Sequence, residues 1–177
     1  MKIRPACEED VGTIAGVHVD SWQSTYRDII ATDYLARLSV DHHAERWLEI
    51  LRKQDTKNCI FVAENKDDQV IGFASGGPQR DLRLNYDGEL YAIYLLEIAQ
   101  RRGLGTRLTH AVANHLAMNG FESMLVWVLD GNPSNQFYAA LGGEYVSKKM
   151  INIGEQELTE VAYGWRNLHD LVKTNAH

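Results

Sequence analysis

One segment in the middle of the chain restricts the possible folds more than any other. An apolar strand is predicted at residues 89–96 (ELYAIYLL), a helix runs from about residue 104 to Gly120, and a second apolar strand follows at residues 123–129 (SMLVWVL). The helix carries an apolar stripe at steps of four residues, formed by Leu104, Leu108, Val112 and Leu116. Two strands joined through a helix of this length lie parallel in one sheet. The sequence therefore predicts a β-α-β crossover near its centre.

The strands outside this crossover are joined by short turns. Residues 58–64 and 70–75 flank a polar turn, and residues 145–153 and 158–165 flank Gly154. Four further elements complete the predicted order: an edge strand over residues 1–5, a helix from Glu8 to about Trp22, a second helix over 41–53, and a short helix over 133–141 after the second crossover strand. The order implies an α/β fold of the mixed α+β kind, a mostly antiparallel sheet with helices on both faces.

Composition limits the class of protein. A chain of 177 residues with 45% apolar and 24% charged residues is expected to form one domain over 1–177. The formal net charge of −6 argues against binding to nucleic acid, and it is compatible with a cationic substrate such as an amine. No secretion signal and no apolar run of membrane-spanning length are found, so a soluble, cytoplasmic protein is expected. Cys7 and Cys59 are expected to be reduced thiols, and no spacing suggests a metal site.

The loop before the long helix has the chemistry of an anion site. It reads Gln100-Arg101-Arg102-Gly103-Leu104-Gly105-Thr106. The two glycines permit a close approach of backbone to ligand, and the first N–H groups of a helix point outward at its positive end. The two arginines add positive charge, so a pyrophosphate would satisfy all three features. The loop lacks the third glycine of a dinucleotide-binding fingerprint and the Gly-Lys-Ser/Thr of a Walker loop.

This loop in its setting, YLLEIAQRRGLGTRL, resembles the cofactor motif Gln/Arg-x-x-Gly-x-Gly/Ala of the GCN5-related N-acetyltransferase superfamily. Further segments resemble the same family in the same order: SWQSTYRDII, FVAE, VIGFASGG, GELYAIYLL, MLVWVLDGNPSNQFYAALGGE and VAYGW. The resemblance covers about residues 3–166. It implies an acetyl-CoA-dependent N-acyltransferase with that family's fold, which moves an acetyl group to a primary amine by direct attack in a ternary complex.

The resemblance also implies where acetyl-CoA binds. The backbone of the glycine loop is expected to hold the pyrophosphate, Leu95 to pair with the pantetheine, and the N–H of Ile93 to act as the oxyanion donor. Plain core packing is the other interpretation of Ile93 and Leu95. Asn132 is expected to cap the short helix that follows it, and it is a second candidate for cofactor contact. The cofactor-binding set is thus Ile93, Leu95, Gln100, Arg101, Arg102, Gly103, Leu104, Gly105, Thr106, Asn132 and Tyr138.

Two side chains are candidates for proton transfer. Tyr138, the tyrosine of the Phe-Tyr pair in NPSNQFYAALGG, is expected to protonate the leaving thiolate; the alternative is an aromatic packed between helix and sheet. Glu89 is expected to act as the base, directly or through water; the alternative is a solvated charge at a strand start. Trp22, Tyr26, Glu89 and Tyr91 are expected to contact the acceptor, with Arg80, Tyr86 and Trp127 as further candidates, although each Trp also fits a core position.

The sequence departs from the family pattern at four positions. Glu97 stands in place of a proline, Arg101 in place of a glycine, Gly143 in place of an aromatic residue and Asn135 in place of a basic residue. Two other functions stay open at this point: a CoA-binding regulatory protein without turnover, and a nucleotide-binding loop in an unrelated fold. A homodimer is a further expectation, because the closing strands resemble an element that often pairs two subunits.

Overall fold

The computed structural model describes residues 1–53, 55–81 and 83–173; the predicted domain boundary at residue 177 lies outside them. Seven strands form one sheet. They are β1 (Lys2–Pro5), β2 (Cys59–Glu64), β3 (Val70–Pro78), β4 (Gly88–Leu95), β5 (Met124–Leu129), β6 (Glu144–Ile153) and β7 (Gln156–Trp165). The α-helices are α1 (Val11–Thr25), α2 (Thr32–Ala36), α3 (Val40–Arg52), α4 (Leu104–Met118), α5 (Ser134–Ala140) and α6 (Leu168–Lys173).

The sheet has the strand order β1-β2-β3-β4-β5-β7-β6. Among the described strands only β4 and β5 pair in parallel, and α4 connects them. Every other neighbouring pair is antiparallel. The predicted mixed sheet with one central crossover is confirmed.

Helices cover both faces of the sheet. On one face, α4 packs its predicted stripe against β2, β3 and β4, and Leu104, Leu108, Val112 and Leu116 are at most 1% exposed. On the other face, α1 and α3 enclose a second cluster in which Ile14 and Phe73 are fully buried and Trp47 is 7% exposed. The sheet therefore separates two environments, one under α4 and one under α1 and α3.

The structure differs from the prediction in short elements. The single turn of α2 buries only Leu35, and α6 is six residues long, so neither presents enough turns for a helical period to be recognised. β3 continues to Pro78, past its predicted end at residue 75, because Gly76 and Gly77 pair with Leu90 and Glu89. The prediction that this strand ends at residue 75 was therefore wrong, and Gly76, Gly77 and Pro78 belong to β3. No helix within the described ranges is long and apolar enough to cross a bilayer.

Candidate functional site

The strands β4 and β5 are paired only at their amino-terminal ends. Their ladder consists of Gly88 with Met124, Glu89 with Leu125 and Leu90 with Val126. Beyond it, β4 continues beside β3 and β5 continues beside β7. The edge of β4 that faces β5 therefore has no strand partner over residues 91–95 in the described structure. A V-shaped opening lies at the centre of the sheet.

The open edge of β4 carries the two N–H groups that the sequence singled out. Leu96 donates its N–H to Ile71 of β3 at 3.0 Å. Because hydrogen-bonding groups alternate between the two edges of an antiparallel strand, the N–H groups of Ile93 and Leu95 face the opening. The carbonyl of Leu95 on the same edge accepts hydrogen bonds from Gln100 Nε2 and Ser21 Oγ, both at 3.2 Å. The side chain of Gln100 thus fixes the end of β4.

The loop before α4 presents a row of unused backbone donors. At this end of the helix, the first N–H that reaches a carbonyl of the described chain is that of Arg107, which donates to Gly103 at 3.1 Å. No described residue accepts a hydrogen bond from the N–H groups of residues 101–106. Gly103 caps the helix at φ +75°, and a Cβ built there has no atom within 4 Å. The loop is therefore an open cradle of N–H groups at the positive end of a long helix.

Arg101 is one of the positions at which the sequence departs from the family pattern. It adopts φ +59°, in the left-handed region where glycine is favoured. An L-residue there costs about 1 kcal/mol, which the family's common glycine avoids. The side chains of Arg101 and Arg102 are exposed, so their charge is available at the cradle.

The second departure, Asn135, has a structural role. Its Nδ2 donates to the carbonyls of Leu129 at 3.0 Å and Asn132 at 2.7 Å, and so ties α5 to the end of β5. The predicted cap Asn132 is 5% exposed; its side-chain oxygen accepts from the N–H of Ser134 at 2.8 Å. Its Nδ2 donates to the hydroxyl of Tyr26 at 3.1 Å. Asn132 therefore caps α5 and fixes Tyr26.

The helix α5 packs against the cradle, and its Tyr138 belongs to the core cluster against which Ile93 and Leu95 also pack. A Cβ on Gly105 would lie 3.2 Å from the Phe137 ring, so a glycine is needed for α4 and α5 to approach this closely. Tyr138 is 5% exposed and packs between Phe137, Tyr163 and Trp165. No described residue hydrogen-bonds its hydroxyl. Burial raises the pKa of Tyr138 above its ordinary value, so the phenol carries its proton throughout the neutral range.

Glu89 is a buried, paired carboxylate, so the alternative of a solvated charge is wrong. Its side chain is 2% exposed. One oxygen accepts from the Arg80 guanidinium at 2.5 and 3.2 Å, and the other accepts from the Arg80 backbone N–H at 3.0 Å. Arg80 also stacks on Tyr91, 4.4 Å from the ring centroid. A cavity of about 650 Å³, lined in part by Trp127 and Lys149, gives Glu89 a path to water.

A second carboxylate, which was not predicted from the sequence, lies on the same face as Glu89. Glu160 of β7 lies opposite Leu129 and Lys149, and its oxygen is 3.7 Å from the Lys149 ammonium. Burial raises the pKa of Glu160 above its ordinary value, against the opposing effect of Lys149. The alternation of β7 puts Glu160 and the exposed Glu157 on opposite faces of the sheet, but it does not tell which face is covered. The partial burial of Glu160 beside Lys149 is seen only in the folded sheet.

A larger cavity of about 1040 Å³ lies between α1, α3 and the β3–β4 face of the sheet. Of the predicted acceptor contacts, Trp22, Arg80 and Tyr91 line it. The hydroxyl of Tyr91 is already donated to the carbonyl of Pro78 at 2.5 Å. Tyr26 is buried beneath Trp22, with ring centroids 5.1 Å apart. Tyr86 lies elsewhere, against Gly164 and under Arg166, so its prediction as an acceptor contact was wrong.

Histidine rings form part of the cavity wall. His18 stacks on Tyr94 with centroids 4.8 Å apart and lies 4.1 Å from the ring of His43. Its Nδ1 accepts a hydrogen bond from Trp47 Nε1 at 3.3 Å, so the proton of the neutral ring is on Nε2. Burial, followed by the charges of His43 and Arg46, lowers the pKa of His18 to about 3. The ring is therefore neutral at physiological pH.

The buried His18 makes stability depend on pH. In the unfolded chain its pKa returns to about 6.5, so below that pH the unfolded state binds a proton that the folded state does not. We expect the free energy of unfolding to fall by up to about 1.4 kcal/mol per pH unit between pH 6 and 4. Urea titrations at several pH values across this range measure the free energy of unfolding. Its dependence on pH should be shallower in His18→Gln than in the parent, and unchanged in the variant of the exposed histidine, His169→Gln. Equal slopes for His18→Gln and the parent would refute the assignment.

The cysteines and possible metal ligands add no further centre within the described ranges. Cys7 is exposed and Cys59 is partly buried, and neither is in a disulfide. Burial raises the pKa of Cys59 to about 12, so its thiol is un-ionised. No group of three or more His, Cys, Asp or Glu side chains of the described residues is placed to hold a metal ion.

Known proteins resemble this chain in sequence and fold. The sequence model of the family described as FR47-like protein matches residues 80–151. The uncharacterized N-acetyltransferase YuaI of Bacillus subtilis (strain 168) is 44% identical over 169 residues, which cover 96% of this chain and 95% of that protein. The PaiA N-acetyltransferase of Thermoplasma acidophilum, solved with coenzyme A, superimposes with a TM-score of 0.72 at 20% identity, covering 90% of this chain and 96% of that one. YncA of Salmonella typhimurium, solved with its cofactor acetyl-CoA, superimposes with a TM-score of 0.70 at 18% identity, covering 94% of this chain and 93% of that one.

Proposed function

Because this chain belongs to the GCN5-related N-acetyltransferase superfamily and is an acetyl-CoA-dependent acyltransferase, we propose that it transfers the acetyl group to a primary amine of a small molecule or peptide. In this proposal the amine attacks directly while both substrates are bound. The observation that carries it is the junction of the open β4 edge with the donor cradle at the start of α4. The β4 edge can pair with an extended ligand that carries amide groups. The cradle can bind the diphosphate of the same ligand through its N–H groups.

The described residues fit acetyl-CoA at this junction. The pantetheine amides match the free N–H of Leu95, and the pyrophosphate matches the cradle of residues 101–106. Gly103 leaves the cradle open, since no atom lies within 4 Å of the position its Cβ would take. Arg101 and Arg102 add positive charge at the same end of the helix. Acetyl-CoA supplies the activated acetyl group, and the chain supplies its position.

The N–H of Ile93 stabilises charge in the transition state. It faces the opening two residues before Leu95, so a ligand paired with Leu95 has its acyl end near Ile93. A backbone donor aimed at a developing oxyanion lowers the free-energy barrier by about 3 kcal/mol. Because the donor belongs to the backbone, the side chain of Ile93 packs in the core at the same time.

Tyr138 supplies the proton to the leaving sulfur. Its ring belongs to the core cluster against which Ile93 and Leu95 of the open edge pack, and its raised pKa keeps the hydroxyl in the acid form. A thiolate has a pKa of about 8.5, below that of a phenol, so this proton transfer is uphill in the resting site and is coupled to cleavage of the carbon–sulfur bond, which places negative charge on the sulfur.

We propose Glu89 as the proton acceptor, acting through water from the cavity of about 650 Å³ that it lines. We expect Glu89→Gln to lower kcat/KM by about 100-fold, because an amide cannot accept the ammonium proton. Glu160→Gln is the matched variant, since Glu160 is the other carboxylate on this face, and a loss below about threefold is expected. Steady-state rates at saturating acetyl-CoA decide between them. A larger loss in the Glu160 variant would move the role of base to Glu160.

The proposed function is tested by thiol release from acetyl-CoA with a panel of primary amines and peptides. Amine-dependent release and a mass gain of one acetyl group on the amine are expected. Acetyl-CoA binding without release for any amine would instead indicate a CoA-binding regulatory protein without turnover. The homodimer implied by the resemblance stays a prediction.

A further inference from the structure

One side of helix α3 faces the large cavity and carries basic groups. The lining positions follow helical spacing: Ser39 before the helix, then His42, His43, Arg46 and Ile50, and Lys53 after it. The acidic residues of the helix, Asp41, Glu45 and Glu49, are exposed and do not line the cavity. The helix therefore sorts its charges, with cations toward the cavity and carboxylates toward solvent.

The residues that line the cavity also carry more cations than carboxylates. Its described lining includes four permanent cations, Arg37, Arg46, Lys53 and Arg80, but Asp55 is the only carboxylate among those residues. This balance is opposite to that of the chain, whose formal net charge is −6. Since the field in a cleft is set by the charges that line it, the cavity is electropositive in an acidic protein.

Three of these cations have no ion-pair partner among the residues that the structure describes. Within the described ranges, no carboxylate lies within 4.0 Å of Arg37, Arg46 or Lys53. Arg37 only donates Nε to the backbone carbonyl of Asp33, at 3.1 Å. By contrast, Arg52 on another side of α3 pairs with Glu8 at 2.7 Å. The cavity-facing cations are thus available to a ligand, whereas Arg52 is engaged within the protein.

An electropositive cavity disfavours a simple alkylamine, which is itself a cation at neutral pH. On the basis of the proposed function, we propose that the acceptor is a small amine that also carries an oxyanion, a carboxylate or a phosphonate, bound by Arg46. Arg37 and Lys53, at opposite ends of α3, add to the positive potential of the cavity. Guanidinium groups bind such oxyanions through paired N–H donors. The cavity of about 1040 Å³ has room for a molecule of this kind. The neutral rings of His18 and Tyr94 supply an uncharged wall beneath it.

A set of four-carbon amines isolates the effect of charge. Butylamine, 4-aminobutanoate and 1,4-diaminobutane share the reacting amine and differ in the charge at the other end. In 3-aminopropylphosphonate a phosphonate replaces the carboxylate. Homologues of three to six carbons vary the distance between the amine and the charged group. We expect kcat/KM for the best oxyanion-bearing amine to exceed that of its neutral match by about tenfold or more. Arg46→Gln should remove most of this preference, and Arg46→Glu should favour the diamine. Arg52→Gln, on the same helix but paired with Glu8, should leave the preference unchanged.

The outcomes separate this inference from the proposed function. Equal or higher kcat/KM for neutral amines or diamines overturns the inference while amine acetylation stands. If no amine is acetylated, the proposed function fails, but the quenching of tryptophan fluorescence still reports binding, because Trp22 and Trp47 line the cavity. Tighter binding of 4-aminobutanoate or 3-aminopropylphosphonate than of butylamine, lost in Arg46→Gln, supports the inference. Indistinguishable affinities overturn it.

Discussion

Gly103→Glu is expected to abolish the binding of acetyl-CoA and to leave the fold intact. The substitution puts a carboxylate into a cradle whose N–H groups, at residues 101–106, are unused by the described chain. The new side chain meets no atom within 4 Å of its Cβ, so it has room to occupy the space of the diphosphate and repel it. A loss of affinity of at least about 100-fold is expected, since both the N–H donors and the favourable end of the helix dipole are masked. Isothermal titration with acetyl-CoA measures it.

Two control variants separate charge from backbone strain. Gly103 has φ +75°, so any side chain there adds strain of about 1 kcal/mol; Gly103→Ala reports that strain alone. Gly120→Glu adds the same charge at φ +84° beyond the other end of α4, where a Cβ also meets nothing within 4 Å. Both controls should bind acetyl-CoA with near-normal affinity. Normal affinity in Gly103→Glu itself would refute the assignment of the loop.

The fold was predictable where an element repeats its pattern over several turns or residues. The four-residue stripe of α4 and the two strands around it predict the crossover, and the turns at residues 65–68 and Gly154 predict the hairpins. The single-turn helix α2 and the six-residue α6 were missed because so few residues show no period. β3 was ended too early because Gly76-Gly77-Pro78 has the composition of a turn, while its backbone pairs with β4.

The candidate site also has a part that the local sequence predicts and a part that it does not. Its backbone part, the glycine loop and the edge of β4, follows from local sequence, because N–H groups at a helix start are free whatever the side chains are. The side-chain partners depend on tertiary structure. The pairing of Glu89 with Arg80 needs the close approach of the β3–β4 connection, and the position of Glu160 needs β7 beside β5. The basic side of α3 is recognised only once the rotation of that helix against the sheet is known.

Tyr138→Phe tests the chemical step apart from binding. The ring packs against Phe137, Tyr163 and Trp165, and phenylalanine retains that packing. No described residue hydrogen-bonds the hydroxyl, so its removal leaves no protein group without a partner, and the melting temperature should change little. The affinity for acetyl-CoA should also be retained, because the cradle and the β4 edge are untouched.

The turnover number of Tyr138→Phe should fall by about 100-fold or more, as expected when a positioned general acid is removed. Tyr163→Phe, which alters a ring stacked at 6.2 Å from Tyr138, is the matched control and should retain kcat. Single-turnover rates with saturating acetyl-CoA and amine isolate the chemical step from product release. If kcat is unchanged in Tyr138→Phe, the leaving thiolate takes its proton from elsewhere and Tyr138 serves packing alone. If kcat and acetyl-CoA affinity fall together, the hydroxyl positions the ligand, since a group that acts only as an acid lowers the rate without weakening the bound state.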